Sequence, residues 1–110
     1  MISNEEFVQV ITTTDSKENA ENIAKSLLES KLAACVQIIG PITSLYWWEG
    51  KIETAQEFLC LIKTKKEVYN EVEKAIKKVH TYTVPEIIAC PITQGSTDYL
   101  KWLKTEVEKN

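Results

Sequence analysis

Apolar positions along this chain change their spacing several times, and each change marks an element. Phe7-Val-Gln-Val-Ile-Thr-Thr-Thr14 is rich in β-branched residues and predicts a first strand. Ala20, Ile23, Ala24, Leu27 and Leu28 then recur at i, i+3, i+4, i+7 and i+8, the stripe of a one-faced helix. Asp15 offers that helix an N-cap, with Glu18 as the other half of a capping box. Lys31 falls near its end, where a cation suits the helix dipole. From Ala33 to Thr64 two strand-like arms meet at Glu49-Gly50. The incoming arm ends in Leu45, Tyr46, Trp47 and Trp48; the outgoing arm alternates Ile52, Thr54, Gln56, Phe58, Cys60 and Ile62. Gly40-Pro41 predicts a bulge or sharp bend that divides the incoming arm into 33–39 and 42–48.

A second capping box, Thr64 with Glu67, opens a second helix. Its core face is Val68, Val72, Ala75, Ile76 and Val79. Val84 to Ile92, framed by Pro85 and Pro91, predicts a fourth strand that is partly an edge. Ser96 or Thr97 caps a last short helix, with Tyr99, Leu100, Trp102, Leu103 and Val107 along its inner side.

The order β-α-β-β-α-β plus a terminal helix is that of an α+β, ferredoxin-like sandwich with a long hairpin between its second and third strands. One domain spans 1–110. Two amphipathic helices cover one face of a four-stranded sheet and leave the other open. Each hairpin arm has about a dozen residues and reaches roughly 40 Å, whereas a compact chain of this length has a radius of gyration of only about 13 Å. Adjacent strand residues point to opposite faces, so Tyr46, Trp47 and Trp48 cannot all be hidden by the two helices. Symmetric self-association would cover both the open face and the hairpin. Removing edges in this way also predicts high thermal stability.

Composition narrows the function classes. With 44% apolar and 26% charged residues the chain reads as an ordinary soluble domain. No apolar run approaches the ~20 residues of a membrane span, and the start MISNEEFV lacks a signal-like basic and apolar stretch. The expected location is cytoplasmic. The net charge is −3 and every one of the 13 cations is a lysine. That counts against nucleic acid and against bidentate phosphate recognition. Cys35, Cys60 and Cys90 form an odd set without a CxxC pair, as expected of small buried hydrophobes in a reducing compartment. One histidine, His80, and no nucleophile elbow point away from an enzyme.

Several stretches together resemble the CutA divalent-cation tolerance family. They are Lys31-Leu-Ala-Ala-Cys-Val36, Pro41-Ile-Thr-Ser-Leu-Tyr-Trp-Trp-Glu-Gly-Lys-Ile52, Glu57 with Leu61-Ile-Lys-Thr64, His80-x-Tyr-x-Val-Pro-Glu-Ile87 and Gly95-Ser-Thr-Asp-Tyr-Leu-x-Trp-Leu103. The resemblance spans about residues 7 to 103. It implies a ferredoxin-like subunit in a tight homotrimer, with the hairpin reaching across to neighbouring chains, an architecture also similar to the PII signalling proteins. It implies a role in tolerance of copper or another divalent cation, with Cu2+ as the expected metal and no organic cofactor. The family's metal binding has been associated with a cysteine ending the first strand and a His-His pair. The matching positions here hold Thr12, Val79 and His80, and Thr83 replaces a carboxylate.

The candidate metal ligands are therefore His80, Cys35 and Glu86; His80 also has an ordinary explanation as a helix C-terminal cation, and Cys35 as a packed core residue. The resemblance also implies that Tyr46, Trp48, Glu57, Lys63 and Tyr82, with Glu86, gather near a cleft between subunits, a candidate ligand cleft where a small ligand could stack on aromatics and meet a charge. The same tryptophans serve equally as interface glue. Three functions stand side by side: a divalent-cation-binding trimer, a PII-like trimer sensing a small metabolite, and a trimeric scaffold that anchors a partner.

Overall fold

Burial on both faces fits β1 (Phe7–Thr14) for the middle of a sheet. It pairs antiparallel with β3 (Lys51–Lys65) on one side and β4 (Ile87–Ile92) on the other, and β2 (Cys35–Trp48) pairs antiparallel with β3. The strand order is β2-β3-β1-β4, the ferredoxin-like order. This computed structural model describes residues 6–108. Residues 1–5, which carry most of the acidic start MISNEEFV, lie outside the described residues, as do residues 109–110.

Helices α1 (Lys17–Glu29) and α2 (Tyr69–Val79) lie together, and their apolar stripes meet the strand positions that alternate toward them. Ile23 and Leu27 of α1, Val72 and Ile76 of α2, and Val10, Cys60 and Ile62 of the sheet lose all contact with water. Each large aliphatic side chain so buried stabilises the fold by about 2 kcal/mol. Helix α3 (Thr97–Glu106) contacts β3 and adds Leu103, with Val107 just beyond it, to the same core.

Several local expectations are corrected by this geometry. Ser16, not Asp15, caps α1: its hydroxyl accepts the Asn19 backbone N–H at 3.0 Å. Thr64 caps nothing, because it is still in β3, fully buried, and its hydroxyl donates to the Leu32 carbonyl at 2.7 Å. A short 3-10 turn, Lys66–Val68, leads into α2 instead. Strand β4 begins at Ile87; Val84 lies in the preceding loop and is exposed. Only Cys60 is a fully buried thiol, since Cys35 is half-buried and Cys90 is exposed on the sheet's outer strand. Tyr99 and Trp102 stack on each other at 5.5 Å on the outside of α3 and do not join its inner side, and Leu28 is likewise exposed.

The long hairpin projects as its length requires. Its arms of 14 and 15 residues accompany a long dimension of 44 Å and a radius of gyration of 14.6 Å. Glu49 and Gly50 both have positive φ, 51° and 79°, the geometry of a two-residue type I′ turn. The strand β2 runs on through Gly40-Pro41, a cis peptide, with a bulge in which these two residues stand opposite Phe58. A Cβ on Gly40 would overlap the Phe58 ring, so glycine is needed there. The bulge also changes which residues share a face. Before it Cys35, Gln37 and Ile39 pair with Lys63, Leu61 and Leu59; after it Ile42, Tyr46 and Trp48 pair with Glu57, Glu53 and Lys51. Tyr46 and Trp48 thus fall on the face of Glu57, while Leu45, Trp47 and Ile52 fall on the opposite face.

Candidate functional site

Three parts of the chain converge where the hairpin leaves the sheet: the end of β1, the base of the hairpin, and the loop 80–86 between α2 and β4. They enclose an open cleft of about 630 Å³. Its apolar walls are Tyr46, Trp48, Tyr82 and Val84; Glu57 lies in its floor and Glu86 at its rim.

Side chains fix the loop at its start. The Asn19 amide donates to the Val79 carbonyl at 2.8 Å, closing the end of α2 onto α1. His80 Nε2 lies 2.8 Å from the Thr13 carbonyl oxygen, which can only accept, so Nε2 carries the proton. His80 Nδ1 in turn accepts the Tyr82 backbone N–H at 3.0 Å. Both ring nitrogens are therefore engaged. Thr81 donates its hydroxyl to Asp15 at 3.0 Å. The Tyr82 ring stacks at a tilt on His80, 4.9 Å between centroids, and its hydroxyl donates to Glu57 Oε2 at 2.6 Å. Burial, then the bond to Glu57 and its charge, hold the Tyr82 phenol well above the ordinary tyrosine range. It remains a donor, and Glu57 remains its acceptor, though only 6% of Glu57 is exposed.

Of the expected ligand-cleft set, Tyr46, Trp48, Glu57 and Tyr82 are brought together. Lys63 is not: it lies six residues along β3 from Glu57, about 20 Å at strand rise, and its ammonium donates to Gln37 at 2.6 Å. The expected metal set does not converge within one chain. Glu86 reaches the cleft, whereas Cys35 pairs with Lys63 at the level of Gln9, four residues of β1 from the Thr13 that holds His80. Among the described residues no three of His, Cys, Asp and Glu gather as a metal group. Thr12 is buried opposite Cys60, and its hydroxyl has no partner among the described residues. Sequence reasoning missed Asp15 and Asn19 as the anchors of loop 80–86, because residues 60 and 66 positions apart in sequence leave no periodic signal of their contact.

A family model described as the CutA1 divalent ion tolerance protein matches residues 8–106. The divalent-cation tolerance protein CutA of Archaeoglobus fulgidus is 50% identical over 99 residues, which cover 90% of this chain and 96% of that protein. A solved structure from the same organism, described as a periplasmic divalent cation tolerance protein, superposes with a TM-score of 0.90 at 49% identity, over 93% of this chain and 99% of the other. The crystal structure of CutA1 from Oryza sativa gives a TM-score of 0.92 at 39% identity, over 97% of this chain and all of that one. No helix among the described residues is long and apolar enough to cross a membrane.

Proposed function

Because the chain belongs to the CutA1 divalent ion tolerance family, we propose that it is a homotrimeric, non-enzymatic protein that binds divalent cations, copper among them, and contributes to tolerance of them. The observation that carries the trimer is the apolar surface on both faces of the hairpin. Trp48 is 50% exposed on one face, and Trp47 and Ile52 are 72% and 62% exposed on the other. Burying such surface against copies of itself is the direct remedy. The cation reading rests on the family together with Glu86, an exposed carboxylate at the cleft rim. One chain is not a sufficient ligand set. His80 has both nitrogens engaged and Cys35 lies apart, so the cation takes Glu86 from one subunit and further donors from its neighbour. Three free thiols among the described residues agree with a reducing cytoplasm.

Calorimetric titration of Cu(II) into the purified protein tests the cation role. Binding tighter than millimolar that is lost in Glu86→Gln and kept in His80→Ala is the expected result. No binding in that range would sink the metal role. A second reading, a small metabolite held in the cleft, has its own support in the aromatic walls around Glu57. A thermal-shift screen addresses it, since a ligand that binds only the folded protein raises its melting point.

A further inference from the structure

The cleft has an uneven charge. Its two ionisable side chains besides tyrosine are Glu57 and Glu86, and its remaining polar side-chain groups are hydroxyls and the Trp48 indole N–H; no lysine or histidine lines it. The residues around it do not reverse that balance. Glu53 lies across from Tyr46 on the same face, and Lys51 lies beyond it, across from Trp48 at the hairpin tip. Asp15 sits behind the loop, bonded to Thr81. His80 does not line the cleft, and both its ring nitrogens are engaged in hydrogen bonds. Lys63, the one cation of the expected cleft set, is held elsewhere in the chain by Gln37. Within one chain an anionic ligand would therefore face carboxylates with no compensating partner.

The walls say what kind of cation fits. A bare divalent ion needs several converging oxygen, nitrogen or sulfur donors, and Tyr46, Trp48 and Tyr82 offer it mostly ring surface. An alkylated ammonium is different. It is weakly hydrated, spreads its charge over methyl groups, and is attracted to aromatic faces and to a nearby carboxylate. Glu57 is suited to the second task, because it is nearly buried and its position is fixed by the Tyr82 hydroxyl.

We propose that this cleft takes an organic ammonium ion bearing alkyl substituents, held between Tyr46, Trp48 and Tyr82 with Glu57 as its counter-charge. The proposal rests on the cleft being a ligand site, the second reading above, and it shares that cleft with Glu86, the carboxylate of the metal reading. The test is NMR titration of the intact protein with tetramethylammonium and, in parallel, with neopentyl alcohol, a neutral molecule of similar shape. The indole N–H signal of Trp48, identified by its loss in Trp48→Phe, serves as the local reporter. Tetramethylammonium is expected to shift that signal and to bind about tenfold or more tightly than the alcohol. Glu57→Gln, which keeps an acceptor for Tyr82 while removing the charge, is expected to abolish that preference, with the oligomeric state unchanged by light scattering. If both probes bind equally, the cleft is an apolar site without cation selectivity, and the ammonium assignment is overturned while the cleft reading stands. If neither shifts Trp48, both fall.

Discussion

Single residues in this chain carry effects that their neighbours make measurable. Burial pushes the Cys60 thiol up from an ordinary 9.0 to about 11. A group whose pKa is higher folded than unfolded favours the fold fully below its unfolded value, and that contribution fades as pH rises through the folded one. A two-unit shift corresponds to about 3 kcal/mol. Urea unfolding midpoints should therefore fall between pH 9.0 and about 11, and fall less steeply in Cys60→Ala. Tyr82 acts with the same sign at still higher pH. Lys31 makes a second case. It has φ of 62° directly after α1, where the Lys31 and Leu32 N–H groups close back on the Leu28 and Leu27 carbonyls. That pattern is a Schellman ending, which favours glycine. Lys31→Gly should raise stability by about 0.5–1 kcal/mol, because the 3.6 Å pair with Glu106 that it removes is exposed and worth little. The denaturation midpoint decides it.

At the scale of elements, periodicity identified the strands and helices, but the partner of each polar end group was settled by packing. Asp15 and Ser16 are both good caps in sequence. Ser16 takes the role because Asp15 is turned toward Thr81 and the neighbouring Thr14 hydroxyl. Ser16→Ala should cost about 1 kcal/mol and fray the start of α1 in hydrogen exchange. Asp15→Ala should leave α1 protected and speed exchange in loop 80–86 instead. The hairpin illustrates the same division. Its turn and its bulge were legible in Glu49-Gly50 and Gly40-Pro41, whereas the resulting face of each aromatic was not. Two bulged residues opposite one reverse the alternation, and this places Trp48 rather than Trp47 on the face of Glu57.

For the whole molecule the unpaired surface is the governing fact. Light scattering at micromolar concentration should give three times the subunit mass. Trp47→Glu, which puts a charge on a 72% exposed indole site, should lower that mass without unfolding the subunit by circular dichroism. A wild-type mass of one subunit would refute the trimer. Assembly that hides the hairpin should also place thermal unfolding above the ordinary mesophilic range of about 45–65 °C.

The order of elements, the one-sided helices, the turn at Glu49-Gly50 and the surplus of exposed aromatics followed from sequence alone, because each rests on local period or on residues that only one backbone geometry favours. So did the family, which is carried by motifs spread over most of the chain. The cleft was decided by tertiary structure. Bonds from Asn19, Thr13 and Asp15 fix the loop that carries Tyr82, and the Gly40-Pro41 bulge puts Tyr46 and Trp48 on the face of Glu57. The Thr13 carbonyl and the Tyr82 N–H engage both nitrogens of His80, and Gln37 holds Lys63 six residues along β3 from Glu57. Residue type could nominate these groups as ligands; only distance and hydrogen-bond occupancy could separate those that are available from those already in use.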